Sequence, residues 1–209
     1  MNYGNTVTLA ITRGILRVAG GTALGMVLTF ALPYTAHAQT VTPPVVPAGL
    51  DVEAGNEPFL VGHAVGTQNY VCQPTGPFGR VGWVLFTPEA TLFGERSDQL
   101  ITHFFSPNPD EDGRVVRATW ESSLDTSMVW AKAIASAMVD STAIPWVLLQ
   151  AVGTQEGPTG GTTLSITTFV QRVHTEGGLP PATDCQQLTD VGRKAFSPYT
   201  ADYFFYRGM

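Results

Sequence analysis

The sequence predicts an all-β protein: a single-domain antiparallel sandwich or barrel of about ten short strands, with at most one short helix near the C-terminus. Three observations predict it. Extended runs rich in Val, Ile, Thr, Phe, Tyr and Trp recur along the chain. Gly/Pro clusters separate them at short intervals, the punctuation of hairpins and not of βαβ units. Only residues 189–195 read as helix, with Thr189 or Asp190 as the cap. No repeat of fixed period occurs.

The elements follow in order. Residues 59–65 and 67–72 are extended, with a bend or bulge expected at Gly66. Residues 76–79 turn. Residues 81–86 (VGWVLF) are apolar nearly throughout, as a strand buried on both faces would be, and residues 87–90 turn them back into 91–93. Residues 100–105 form a strand, and SPNPDEDG at 106–113 is a strong turn signal. Residues 114–120 alternate, with Val116, Ala118 and Trp120 on one face. The alanines of residues 127–139 favour helix by propensity, but their alternation favours strand, so a strand is expected through about Ala135. Residues 144–153 and 164–174 are strands, the first with Pro145 near its start. The aromatic run 199–206 closes the chain.

The N-terminus has a different character. Arg13 and Arg17 precede an apolar run over residues 18–32, Pro33 breaks it, and Ala36-His37-Ala38 supplies a small-x-small site. This order predicts a secretory signal peptide over residues 1–38, cleaved between Ala38 and Gln39. The apolar run is shorter than the roughly 20 residues that span a bilayer, so no membrane span is expected once it is removed. Residues 39–49 are Pro/Thr-rich and read as a linker or docked arm, and residues 50–209 as the β-rich domain. The net charge of −6 becomes more negative when Arg13 and Arg17 leave. No basic patch remains to displace phosphate counterions, which excludes nucleic acid as a partner class.

Cys72 and Cys185 are the only cysteines. An even count in a chain bound for an oxidising compartment predicts a Cys72–Cys185 disulfide. Closing so long a loop contributes about 4–5 kcal/mol in the chain-entropy model.

Residues 61–74 concentrate candidate binding chemistry: His63, Gln68, Asn69 and Tyr70 precede Cys72. His103, Trp130 and Lys132 complete the candidate ligand-site set. His63, His103 and His174 all fall on expected strands, and three converging imidazoles would suit zinc or copper, but HxH and HExxH spacings are absent. Asp110-Glu111-Asp112-Gly113 lacks the calcium-loop pattern and reads as an acidic hairpin tip. Ser127 beside Asp125 reads as turn chemistry; no GxSxG occurs and no cofactor motif is present.

The strings GTQNYVCQP (residues 66–74), LITHFFSPNPDEDG (100–113), TSMVWAKA (126–133), IPWVLLQAVG (144–153), GPTGG (157–161) and YTADYFFY (199–206) resemble an uncharacterised family of secreted proteins. That family is a domain of unknown function found in bacteria and fungi, and it includes fungal appressorium-associated proteins. The resemblance implies secretion and one β-rich domain, and it implies no catalytic residue. Some fungal relatives carry a malate-dehydrogenase-like label, which this chain does not support: it has no GxGxxG and no βαβ alternation.

The leading expectation is a secreted or periplasmic, non-enzymatic β-domain. Its partner would be a small molecule, a glycan or a cell-surface component, with the oligomeric state open. The alternative is a secreted hydrolase or metalloenzyme using His63 and His103 with Lys132 or a carboxylate.

Overall fold

A computed structural model describes residues 41–112 and 114–209; the expected signal peptide, residues 1–38, and its expected cleavage site at Ala38/Gln39 lie outside the described residues. Eight strands follow one another: β1 (Asn56–Pro74), β2 (Val81–Phe93), β3 (Gln99–Pro107), β4 (Val116–Ser122), β5 (Met128–Ala137), β6 (Trp146–Gln155), β7 (Thr167–Gly177) and β8 (Lys194–Gly208). Each pairs antiparallel with the next, and β8 pairs with β1, so the sheet closes into a barrel. Of the two expected architectures, the barrel is the one formed. Closure leaves no free pair of edge strands along most of the wall.

Several strands are longer than their sequence signals. Residues 59–65 and 67–72 are one strand: β1 runs through Gly66 with no register shift there, and its irregularities fall at Pro58/Leu60 and Asn69/Tyr70. Gly66 is present for room, because a Cβ would collide with the Glu89 carbonyl and Ala90 of β2. Residues 87–90 are not a turn but the middle of β2. The β2–β3 ladder begins only at Ala90, which leaves the other edge of β2 open at Pro88, the setting that tolerates proline. For the same reason residues 81–86 are not buried on both faces: they run past β3, and Val84, Leu85 and Phe86 are exposed. The expected helix at 189–195 shrinks to a 3-10 turn, Leu188–Asp190, where Asp190 accepts hydrogen bonds from the Gln186 and Gln187 amides.

Two apolar layers follow from strand alternation. Inside the barrel lie Ala64, Leu92, Ile101, Trp120, Val129, Val170, Tyr203 and Phe205. Outside, Leu148, Phe169, Val173, Phe204 and Tyr206 form a second layer. The segment before β1 covers that outer layer with Val41, Val46, Leu50 and Val52. Leu50 is buried, and its carbonyl accepts a hydrogen bond from Gln171 Nε2 at 2.6 Å. Residues 41–49 therefore include a docked arm, and the prolines that bar helix keep it extended. The Cys72–Cys185 disulfide joins residues 113 apart and ties the end of β1 to the β7–β8 connection.

Candidate functional site: a cavity inside the barrel

The β4–β5 ladder runs only from Ala118/Ala131 to Glu121/Met128. Beyond Ala118 the two strands diverge, and a cavity of about 250 Å³ opens there into the barrel. Its walls are largely apolar: Leu85, Phe105, Ala118, Trp120, Ala131, Val147 and Leu149. Five further residues bring polar groups: Gln68, His103, Arg172, Tyr203 and the rim residue Lys132. Arg117 also stands at the rim, forked onto Glu111.

Register explains how these residues meet. Val147 pairs with Arg172, and Arg172 pairs with Tyr203, so β6, β7 and β8 place three inward side chains side by side. His103 pairs with Trp120 across β3 and β4. The His103 ring stacks on Trp120 with centroids 4.4 Å apart and planes 8° from parallel. Tyr203 and Phe205 pack edgewise on the same indole.

His103 Nδ1 lies 2.8 Å from the Thr119 carbonyl oxygen. A carbonyl only accepts, so Nδ1 carries the proton and Nε2 is left as an acceptor. Burial disfavours the imidazolium and pushes the His103 pKa down to about 3, outweighing the Thr119 hydrogen bond. The ring is neutral at ordinary pH. The Tyr199 hydroxyl is driven above its usual range by burial and by the neighbouring Tyr203, and the two hydroxyls are 3.3 Å apart.

The Gln68 Nε2 and Trp120 Nε1 donors are buried without a hydrogen-bond acceptor among the described residues. Gln68 approaches the Tyr199 hydroxyl, but no hydrogen bond of normal geometry forms. Arg172 donates from Nε and Nη2 to one acceptor, the Pro145 carbonyl oxygen, at 3.3 and 2.9 Å. No carboxylate lies within salt-bridge distance of it among the described residues.

The expected site residues divide between the two faces of the wall. Gln68, His103 and Lys132 share the cavity. Asn69 and Tyr70 are buried outside it, and the Tyr70 hydroxyl donates to the Gly178 carbonyl at 2.8 Å. Trp130 donates to Ser106 Oγ at 2.8 Å and is a packing residue. His63 is on the outer face, where its Nδ1 lies 2.7 Å from Asp202 Oδ1. His174 reaches the other oxygen of the same carboxylate at 2.8 Å. It can do so because it stands at a bulge with φ 50°, which turns it out of line with the inward Val170 and Arg172. Hydrogen bonding to Asp202, opposed by partial burial and helped by Glu95, raises the His63 pKa. The three imidazoles therefore do not converge, and His63 does not share a site with His103.

Two other sequence features resolve as local structure. Ser127 Oγ donates to Asp125 Oδ1 at 2.7 Å and accepts from the Leu164 amide, so both its roles are spent. In the acidic turn, Asn108 donates to Glu111 and to the Val152 carbonyl, while Arg117 holds the Glu111 carboxyl down at about 2. Sequence reasoning missed Arg172, Trp120 and Tyr203 as cavity residues. An arginine in the otherwise uncharged strand run TTFVQRV was the available signal for the first.

Searches of curated proteins and of solved structures find no match. The family model for proteins of unknown function DUF3455 matches residues 53–207, which covers all eight strands except Gly208 at the end of β8. The chain belongs to the DUF3455 family of proteins of unknown function.

Proposed function

We propose that this protein is a secreted, non-enzymatic barrel that binds a small molecule in the cavity between β4 and β5. The observation that carries the reading is a largely apolar cavity of about 250 Å³ whose wall holds Arg172, a cation with no carboxylate partner among the described residues. The volume exceeds the roughly 150 Å³ that admits a benzene ring and falls below the range typical of drug-sized ligands. A ligand of one ring or a short chain fits it.

Secretion is supported by the basic, apolar, small-residue order of residues 1–38 and by the disulfide, which suits an oxidising compartment. Among the described residues no helix is long and apolar enough to cross a membrane. The barrel is apolar inside and carries Asp202, His174 and the Glu57–Arg207 pair outside, the reverse of the pattern of a membrane barrel. The separation of His63 from His103 weighs against the enzyme alternative.

The test is a calorimetric titration with benzyl alcohol, a neutral one-ring probe, against wild type and Ala118→Phe. Saturable one-to-one binding that the cavity-filling phenylalanine removes is expected. Absence of binding, or binding indifferent to residue 118, would refute the reading.

A further inference from the structure

We infer that the cavity selects an organic monoanion: a carboxylate on one aromatic ring or short apolar chain, with Arg172 receiving the carboxylate. This rests on the cavity being a ligand site. The argument is a count of unspent chemistry. An arginine is always charged, and its planar fork matches a carboxylate. Arg172 spends two N–H groups on a single carbonyl oxygen and has no carboxylate partner among the described residues. A guanidinium partly withdrawn from water without a counter-ion is costly, and a bound anion offsets that cost.

The neighbouring groups point the same way. The rim adds Lys132 and the Glu111-paired Arg117, and among the described residues no Asp or Glu lines the walls. A chain of net charge −6 therefore encloses a cavity whose charged wall residues, among those described, are all cationic. His103 is neutral, so it adds an acceptor and no charge. An anion with one protonated hydroxyl or amide would satisfy that Nε2 as well. The apolar remainder of the wall favours an organic anion over inorganic phosphate, which would leave Leu149, Val147 and Phe105 against nothing.

The experiment compares matched skeletons by calorimetry: trans-cinnamate against cinnamyl alcohol, octanoate against octanol, and inorganic phosphate alone. A charge-assisted fork corresponds to a preference of about tenfold or more for the acid. Arg172→Gln is expected to abolish the preference while leaving alcohol binding intact, which also shows that the variant folds with its cavity open. Arg172→Lys is expected to retain part of it. Equal binding of acid and alcohol to wild type would overturn the anion assignment and leave the cavity reading standing. Phosphate binding as tightly as the organic acids would overturn the organic part. Binding of none of these probes would overturn both readings.

Discussion

Acid should destabilise this barrel through His103, by an amount that can be stated in advance. The folded ring, buried against Trp120 and Tyr203, takes its proton at about 3, against 6.5 for an unperturbed histidine. Below pH 6.5 the unfolded chain binds a proton that the folded chain refuses. The stability held by the neutral ring is therefore complete above pH 6.5 and is lost as pH falls toward 3. One refused proton is worth about 1.4 kcal/mol per pH unit, so falling from neutral pH to about pH 4.5 removes about 3 kcal/mol. His63 works in the opposite sense: its raised pKa adds stability as pH falls below its folded value, and that contribution is lost as pH rises through it. The carboxylates Asp125 and Glu111, both lowered, lose their contribution only at more acid pH. These other contributions cancel when wild type is compared with a non-titrating variant. His103→Phe retains a ring on Trp120, and His103→Asn retains a donor toward the Thr119 carbonyl; each is expected to cost stability at pH 7.5. The readout is the urea midpoint and slope at about pH 7.5 and about pH 4.5. Wild type should lose about 3 kcal/mol more than either variant over that interval. Equal losses in wild type and both variants would show that the folded ring accepts its proton normally, and the placement of His103 inside the barrel would be wrong.

Two further outcomes follow from the packing. Reducing the Cys72–Cys185 bridge, or replacing both cysteines by serine, should cost about 4–5 kcal/mol in a urea titration, because the loop it closes is 113 residues long; a loss below about 1 kcal/mol would mean that the denatured chain is already constrained there. Leu50→Ala should cost about 2–5 kcal/mol, since Leu50 is buried against Phe204 and Tyr206 on the outer layer. An unchanged midpoint would show that the N-terminal arm contributes nothing to the fold.

The fold class was legible because turn chemistry is local. SPNPDEDG announced the β3–β4 connection, and the structure turns there on Asn108, fully buried and bonded to the Val152 carbonyl. The disulfide was legible from cysteine arithmetic alone. Strand lengths were not. Gly66 and Pro88 read as breaks, yet each sits inside a strand for a reason that belongs to its neighbour. Gly66 makes way for the β2 backbone, and Pro88 lies where β3 does not yet reach. Local rules assign such residues to turns, because the partner that needs them is far away in sequence.

The site was hidden for a related reason. Period-2 alternation separates inside from outside only where one face meets water. On β7 both faces are covered: Val170 points into the barrel, while Phe169 and Val173 point into a layer roofed by the N-terminal arm. Gln171 and Arg172 then put one polar residue on each face, and nothing in the strand's own sequence says which face holds the cavity. Their partners decide it. Gln171 spends its amide on the Leu50 carbonyl and its oxygen on the Tyr206 hydroxyl, so its chemistry is consumed in fixing the arm. Arg172 pairs in register with Val147 and Tyr203, faces the cavity, and has N–H groups left over. The same test sorts the stretch around Cys72. Tyr70 is spent on the Gly178 carbonyl, whereas Gln68 stands in the cavity wall with its amide nitrogen unpaired but sealed from solvent. In a barrel covered on both faces, a binding residue is distinguished from a structural one by what remains unpaired after folding, and that remainder exists only once the register has closed.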